Sequence, residues 1–571
     1  MAYLVAKTIK GHKYYYSVEK ARINGKSRVV RQIYLGTLEN IEQNQLEKKQ
    51  SAGIPDAEYT IHFEFAAVTA LLDLADRLEI RQIIDEEVGK RQQGLPVGDS
   101  IVLAAINRAV GQVSKNAFHE NWFKKTVLPN CFPLANKNSL SSQGFWNNMS
   151  LIDRDMISRI EDEISKKIIK KYNITSNLLL FDNTNFISYI NTDSPALLPQ
   201  RGKSKEHRSD LRIVGLSLMV SPDNNIPLFH EPYPGNTNDA KRFSEIIDKL
   251  KSRCGSIQKN NDITLVFDRG NNSSANVEKL IEDDPLAFHY VGGLKQNQCP
   301  ELLSIPKSEY KPLEGDTFGG TTAFRTMKTE FGRLVTVVLT NNPELFEAQL
   351  RGVTNNILKC SNALSELAGK LEERKEGKIF RGRQYSVESV NTNVKNILSA
   401  EHMKRVFEYD VESVEGNVTL SYRFNHEGFD NLKEHILGKS ILFTDRDNWS
   451  NEQIVSAYRA QYHVEECFKQ MKHKSYLSFI PIRHYTDRHI IVHAFYCVLA
   501  LILTSLLNLE FKRMGYNITI NKMIEDLSEI DYTHIYYNQK GKMIVKNAFY
   551  PAEGVYKEYL EKYNLYKYIK K

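Results

Sequence analysis

Two stretches decide the fold: NLLLFDNTNF at 177–186 and ITLVFDRG at 263–270 each contain an apolar run that stops at an aspartate. Short apolar, β-branched or aromatic runs predict buried strands, and a carboxylate at the end of such a strand is costly unless something compensates it. A turn would compensate Asp268, because Asp-Arg-Gly is favourable turn chemistry. Either aspartate alone is more often a turn residue than a ligand. Strand ends that neighbour each other in one sheet, however, would bring Asp182 and Asp268 together.

The segments around these two stretches predict a mixed sheet with helices on its faces. Further strand-like runs are LRIVGLSLMV (211–220), IPLFHEPY (226–233) and AFHYVGGL (287–294), and helix-like runs occupy 238–252 and 274–283. Three strands in succession, followed by helix, strand, helix and strand, form an α/β arrangement. This order is the one that an RNase H-like catalytic core requires.

Changes of residue pattern along the chain predict seven segments. β-rich pieces at 322–330, 333–340, 386–390 and 418–424, with one helix-like run around 355–375, suggest a β-rich domain inserted into the core, because KSILFTD at 439–445 is again a short apolar run like the core strands. The expected division is a basic β meander in contact with DNA (1–40), a linker (41–59), a DNA-binding helical domain (60–172), the RNase H-like core (173–296 and 439–510), the β-rich insertion (297–438) and a C-terminal segment (511–571).

The net charge of +7 is concentrated near the N-terminus. Residues 1–36 hold eight Lys and Arg side chains against Glu19 alone, so this segment has a formal charge of +7 and the rest sums to about zero. Strand-like runs flank the dipeptide Asn24-Gly25, a strong hairpin signal. Such a basic module suggests contact with a polyanion, since cationic side chains near phosphates gain by counterion release. A solvated sheet face explains the charge equally well.

The composition predicts a cytoplasmic protein without a membrane span. The six cysteines show no CxxC pair, which fits a reducing compartment. The apolar run near 490–509 contains His493, and its uninterrupted apolar part is shorter than the ~20 residues that a bilayer needs. We therefore expect a buried core helix there, and a location in the cytoplasm.

A third acidic candidate lies on the helix predicted from Ser450, with Gln453 completing a capping box. In EQIVSAYRAQYHVEECFKQMKHK (452–474), Tyr458, Glu465 and Lys472 are seven residues apart and share one stripe of a continuous helix. Taken alone, the pattern is better explained by a solvated helix face with a Glu465–Lys469 pair. Rival acids are Asp445 and Asp447, which a strand-to-helix turn also accounts for.

Together these segments resemble the DDE transposases of bacterial insertion sequences, in the branch marked by a tyrosine–arginine–glutamate–lysine signature. The resemblance rests on FDNTNF, PLFHEPYPGNTND, LVFDRG and YHVEECFKQMKHK in that order, and it runs through most of the chain. It implies that Asp182, Asp268 and Glu465 are catalytic acids and metal ligands, and that Tyr458 and Lys472 contact DNA. Gln461 stands where the family has its arginine, so the phosphate contact is expected at Arg459 or Lys469 instead.

The resemblance also implies a reaction: cut-and-paste transposition, with metal-dependent cleavage at transposon ends and strand transfer into target DNA. Two Mg²⁺ ions ~3.5–4 Å apart, for which Mn²⁺ would substitute, suit in-line attack on a phosphodiester. Expected partners are the terminal inverted repeats, target DNA and a second copy of the chain. The implied location is the bacterial cytoplasm, in association with the nucleoid. The alternatives are an RNase H-like nuclease without strand transfer and a non-catalytic DNA-binding protein. The basic segment 201–212 lines a DNA channel or is a solvated loop, and Asp239 is expected to complement a helix dipole.

Overall fold

The chain folds into two compact units. The computed structural model describes residues 2–9, 12–23, 26–41, 57–89, 93–191, 193–206, 208–257, 262–282, 287–378, 385–414, 416–473, 476–539, 542–550 and 552–569. One unit comprises Met1–Phe65 with Ile530–Ala552, and the other comprises Ala66–Glu529 with Glu553–Lys571. Each unit therefore combines segments that are distant in sequence.

The larger unit is built on a mixed sheet. Its strands are β5 (Leu178–Ser188), β6 (Arg212–Ser221), β7 (Ile226–Pro234), β8 (Ile263–Phe267), β9 (Phe288–Leu294), β10 (Lys311–Pro312), β11 (Thr322–Glu330), β12 (Arg333–Asn341) and β15 (Lys439–Thr444). Over the described ranges their order is β10-β11-β12-β15-β9-β8-β5-β6-β7. The β5–β8 and β8–β9 pairs are parallel, whereas β5–β6 and β6–β7 are antiparallel.

This topology confirms the predicted fold class. Strands β5 to β7 form a meander, and the next two strands add in parallel on the other side of β5 after a helix each, which is the RNase H-like order. The residues of β8 are all buried, as a central parallel strand with both faces covered requires. Phe243 packs between Phe181 and Phe267, with ring centroids 5.0 Å from each.

Helices flank the sheet and also make up most of the segment 342–438. They are α1 (Ala66–Arg77), α2 (Ile80–Val88), α3 (Val97–Val110), α4 (Ser142–Met149), α5 (Arg154–Tyr172), α6 (Asp239–Ile257), α7 (Ser274–Ile281), α8 (Pro300–Leu303), α9 (Pro343–Lys375), α10 (Val387–Ile397), α11 (Met403–Val406), α12 (His426–His435), α13 (Asn451–Arg459), α14 (Tyr462–Met471), α15 (Asp487–Arg513), α16 (Ile520–Ser528) and α17 (Gly554–Lys562). Helix α15 is long and apolar enough to cross a membrane, but its apolar window is entirely buried within the unit. This burial agrees with the expected core helix.

The expected β-rich insertion at 297–438 is wrong in content and in its first boundary. Two of its β-rich pieces are β11 and β12, which belong to the central sheet through the β12–β15 pair. The described residues of the remaining segment, 342–438, are mainly helical and carry one hairpin, β13 (Phe407–Val414) with β14 (Asn417–Phe424). It has its own buried cluster, which includes Leu364, Val394 and Leu432.

The piece SVESV at 386–390 begins a helix rather than a strand. Ser386 caps α10 and forms a capping box with Ser389. Val390 and Val394, four residues apart, are both fully buried, so the β-branched residues follow the helical period. β-branched composition alone does not decide between strand and helix, because packing overrides propensity.

The smaller unit contains two antiparallel sheets within its described residues. Strands β1 (Ala2–Ile9), β2 (His12–Ile23) and β3 (Lys26–Gly36) form the predicted meander. Its turn dipeptides at 10–11 and 24–25 lie outside the described residues. The second sheet has the order β17-β16-β4, from Lys542–Phe549, Asp531–Gln539 and Ala57–Glu64. Residues 57–64 are therefore a strand, and the predicted helical domain begins at Ala66 rather than at 60; most of the expected linker, 42–56, lies outside the described residues.

Candidate active site

Parallel pairing of β5 and β8 places the two aspartates side by side. Phe181 pairs with Phe267 in the register of these strands, so Asp182 and Asp268, the next residues, lie at the same level. Asp268 follows the last residue of β8 and is exposed, whereas Asp182 continues within β5 and is half-buried. The sequence expectation that strand order would unite them is met by this geometry.

The third acid comes from a helical segment that is divided in two. Ser450 caps α13 and shares the predicted capping box with Gln453. A turn at Ala460 and Gln461 separates α13 from α14, so the single long helix expected from the sequence is wrong. Glu465 lies in the first turn of α14. Gln461 points its side-chain amide at the carbonyl of Phe181, at 3.5 Å, beside Asp182 on β5.

All three acids predicted from the sequence lie in the wall of one cavity, which has a volume of about 820 Å³. Asp182, Asp268 and Glu465 line it, and so does a fourth carboxylate, Asp239. The basic side chains on its wall are Lys205, Lys469, Lys472 and His473. The cavity thus combines an acidic group with cationic side chains, which suits a substrate that carries phosphates and is processed with cations.

The carboxylates of this cavity affect one another. Burial raises the pKa of Asp182 to about 7, and the nearby Asp268 and Asp239 add to the rise, while the Lys205 ammonium opposes it. Burial also raises the pKa of Asp239, again against the effect of Lys205. Such crowding of negative charge in a partly desolvated site disfavours ionisation and is relieved by a bound cation.

The donor set fits a hard divalent cation. Carboxylate oxygens are the ligands that Mg²⁺ prefers in proteins, and the cavity holds four carboxylates together with room for ions and a substrate. Among the described residues, however, no group of three or more His, Cys, Asp or Glu side chains is close enough to hold one ion between them. The carboxylates therefore share a cavity without forming a closed coordination shell.

Of the other predicted site residues, Tyr458 and Lys472 approach the acids. The Tyr458 hydroxyl donates to Oδ1 of Asp268 at 3.4 Å, and burial raises the pKa of Tyr458. The approach is close: a Cβ on Gly293 would lie 2.4 Å from the Tyr458 hydroxyl. Lys472 lines the cavity with its ammonium 5.4 Å from the Phe186 ring centroid, and burial lowers its pKa.

Arg459 and Lys469, the two expected replacements for the family's arginine, differ in position. The Arg459 guanidinium donates to the Thr317 carbonyl at 3.1 Å and to the Thr321 hydroxyl at 2.7 Å, and it is not among the residues that line the cavity. Lys469 does line the cavity, and it pairs with Glu466 at 3.1 Å. Of the two, only Lys469 is placed to meet a substrate in the cavity.

Family comparison identifies the chain. The family described as Transposase DDE domain matches residues 192–503, more than half of the 571 residues. The chain belongs to this family. It is a DNA transposase, and its family generally uses divalent metal ions. The matched range begins after Asp182 and includes Asp268 and Glu465.

Two further comparisons with this transposase add little. No curated protein matches it. A cryo-EM structure of the piggyBac transposase synaptic complex with hairpin DNA is similar at a TM-score of 0.37 and 10% identity, covering 80% of this chain and 79% of that chain. The RNase H-like fold of the transposase follows from its own strand order.

The rival acids lie elsewhere in the transposase. Asp445 accepts from the Tyr290 amide at 2.9 Å and contacts His289 at 2.9 Å, both at the start of β9. Asp268 follows the end of β8, and β8 and β9 are parallel, so the two aspartates are at opposite edges of the sheet. Asp447 accepts from the Thr336 hydroxyl at 2.6 Å. Both rivals thus have structural partners away from the cavity.

The structure also places at the site residues to which the sequence assigned no role there. Asp239 begins α6, as expected for a dipole-complementing carboxylate, but it also lines the cavity of the transposase. Behind the cavity, buried Asn183 accepts from the Ser217 hydroxyl at 2.7 Å and donates to Asn271 at 3.2 Å. The second bond ties β5 to the turn that follows Asp268. In the sequence, Asn183 was marked only by its place after Asp182 in FDN. Its role becomes clear only from the positions of Ser217 and Asn271 in the fold.

Proposed function

We propose that the protein is a cut-and-paste transposase of a bacterial insertion sequence, from the branch with the tyrosine–arginine–glutamate–lysine signature. Asp182, Asp268 and Glu465 are its catalytic acids. The observation that carries the proposal is their presence on one cavity wall, from β5, the end of β8 and α14. Three acids that are distant in sequence and close in space are what metal-assisted phosphoryl transfer needs.

Two Mg²⁺ ions, replaceable by Mn²⁺, would be held by these three carboxylates. When bound, the ions activate the attacking oxygen and stabilise the leaving oxygen of an in-line displacement. Asp182 lies on β5, which neighbours β8 in the sheet, so its carboxylate would hold a cation together with that of Asp268. The side chains of the cavity prepare this site by concentrating negative charge where the cations bind.

The reaction would proceed in two steps at one site. Water first attacks the phosphodiester at the transposon end, and the bond to the 3′-oxygen breaks to leave a 3′-hydroxyl. That hydroxyl then attacks a phosphodiester of target DNA and displaces its 3′-oxygen. Tyr458, Lys469 and Lys472 flank the acids and would contact the DNA; Arg459, engaged by Thr317 and Thr321, would support α13 instead.

The partners would be double-stranded terminal inverted repeats and target DNA, with a second copy of the chain pairing two ends. The lysines of the cavity wall and the formal +7 of residues 1–36 suit such a polyanion. The basic meander and the helical segment of 66–172 would recognise the ends. We place the reaction in the bacterial cytoplasm, where its DNA lies.

Replacing Asp182 with Asn tests the proposal. The variant keeps the side-chain shape but removes a metal-binding charge, so end cleavage in Mg²⁺ should fall by about 10³-fold or more with DNA binding retained. Asp193→Asn, at an exposed aspartate, is the matched control and should cleave normally. Joining is tested separately with a pre-cut end that bears a 3′-hydroxyl. Cleavage by the Asp182→Asn protein would contradict the assignment, and cleavage without joining would indicate a nuclease.

A further inference from the structure

We propose that Lys205 is a further catalytic residue, whose ammonium binds a non-bridging oxygen of the phosphodiester under attack. The inference rests on the proposed function and adds to it a residue from the β5–β6 connection, outside the acidic triad and its helix. Lys205 lines the cavity with Asp182, Asp268 and Glu465. Within the basic segment 201–212, Lys205 therefore faces the site.

The backbone around Lys205 is fixed to β5. The Asn185 side chain donates to the Lys203 carbonyl at 3.1 Å and accepts from the Lys205 amide at 3.2 Å. Between them Ser204 is buried, and its hydroxyl accepts from the Glu206 amide at 3.1 Å. These bonds hold the backbone on both sides of Lys205, so its side chain starts from a defined position. A group that acts on a substrate requires such a fixed position.

The Lys205 ammonium is also placed by a contact of its own. It donates to the Asn183 carbonyl at 2.9 Å, one residue beyond Asp182. An ammonium has three donors, so two are left for other acceptors. Its charge already acts on the site, because it lowers the pKa of both Asp182 and Asp239 against the effect of burial.

Lys205 differs in its pairing from the neighbouring lysines. No carboxylate of the described residues lies within 4.0 Å of its ammonium as an ion pair, whereas Lys469 is paired with Glu466. Lys472 instead packs over the Phe186 ring. Cations bound to the carboxylates would further release Lys205 from their field. Its positive charge is then available for the phosphoryl oxygen, where a preorganised donor is most effective.

The test compares Lys205→Gln, Lys205→Arg and the matched control Lys203→Gln, an exposed lysine two residues away. Single-turnover cleavage of the transposon end should slow by about 10²-fold in Lys205→Gln, with a smaller loss of DNA affinity because one charge contact is removed. Lys205→Arg should recover part of the rate, and Lys203→Gln should match the wild type. Binding to an end whose scissile linkage is a neutral methylphosphonate is measured with Ca²⁺ in place of Mg²⁺.

The methylphosphonate should weaken binding by the wild type more than binding by Lys205→Gln, because the variant has already lost the charge contact of Lys205. An unchanged cleavage rate in Lys205→Gln, or an equal methylphosphonate effect in both proteins, would overturn the inference while Asp182-dependent cleavage stands. If the wild type fails to cleave, or cleaves without Asp182, the proposed function fails and the role of Lys205 fails with it.

Discussion

Asp182 carries more of the site's chemistry than its place in the sequence indicates. Its carboxyl group is half-buried in β5 and close to two other carboxylates, and its pKa is raised to about 7 by burial first of all. A group so perturbed in a cleft is characteristic of functional sites. The protein therefore maintains an unfavourable environment for charge at the position where a cation is expected.

The raised pKa of Asp182 predicts a pH-dependent stability without metal. The folded protein favours the protonated Asp182 carboxyl. The stability that this group contributes to the fold is therefore complete below its unfolded pKa near ~3.9, and it is lost as pH rises through about 7. In EDTA, the melting temperature of Asp182→Asn should therefore exceed that of the wild type. The difference should grow by a few degrees between pH 4 and pH 7 and stay constant at higher pH.

The control for this titration is Asp210→Asn. Its pairing with Arg208 lowers the pKa of Asp210 to about 2, so its charge does not change between pH 5 and pH 8. The melting difference between this variant and the wild type should be flat over that interval, as followed by thermal unfolding. A flat difference for Asp182→Asn as well would show that Asp182 does not titrate near neutrality.

Single residues of the site were predictable only when their local sequence was unusual. Asp182 and Asp268 interrupt apolar runs, and Glu465 follows a recognisable helix pattern. Lys205 and Asp239 have no such mark, because an exposed loop lysine and a first-turn aspartate are common in any protein. Their relevance comes from through-space proximity to the acids, which no local pattern encodes.

At the scale of elements, the approach of α13 to β9 depends on a missing side chain. Gly293 on β9 leaves the space that the Tyr458 ring and hydroxyl occupy, since a Cβ there would lie 2.4 Å from the hydroxyl oxygen and 3.0 Å from the ring carbon that bears it. Close packing transmits such a change to neighbouring groups. The tyrosine's contact with Asp268 is thus set by a strand as well as by its own helix.

Gly293→Ala should displace Tyr458 and slow end cleavage roughly 10- to 100-fold, as small misplacements near a reacting centre do. Tyr458→Phe removes the hydroxyl contact alone, and the double variant should be less than additive because both changes act on one contact. Single-turnover cleavage provides the measurement. Gly352→Ala, where a Cβ meets nothing within 4 Å, is the control. If the losses of cleavage rate in the two single variants are fully additive, Gly293 does not act through Tyr458.

At the scale of the whole molecule, the hairpin β16–β17 leaves the larger unit and completes the smaller one. β16 pairs with β4 across more than 400 residues of chain, through partners such as Tyr59 and Tyr536. The hairpin's ends remain adjacent, since the Tyr550 amide donates to the Asp531 carbonyl at 2.9 Å. The smaller unit could therefore be removed without stretching the larger one.

A truncated chain without residues 1–65, with a short Gly-Ser linker in place of 530–552, should fold. Its melting temperature should be higher in Mg²⁺ than in EDTA. It should bind transposon ends more weakly and with a smaller salt dependence, because residues 1–36 carry a formal +7. Calorimetry and binding at several salt concentrations would measure these effects.

The full chain with Lys7, Lys13 and Lys20 changed to Gln is the matched control, since these lysines are exposed and their loss leaves the unit in place. It should reproduce part of the lowered salt dependence. If the truncated chain instead binds ends as tightly as the full chain, the smaller unit has no part in end recognition.

Local sequence patterns were enough to specify the RNase H-like order of strands and helices, the capped start of α13 and the two strand-end aspartates. Periodicity, capping and turn chemistry are local, so residues within a few positions of one another specify them. Three features became clear from the folded chain alone: β11 and β12 extend the central sheet, 386–390 begins a helix, and Lys205 and Asp239 line the cavity with the three acids. These features arise from packing between segments distant in the chain, which local sequence does not record.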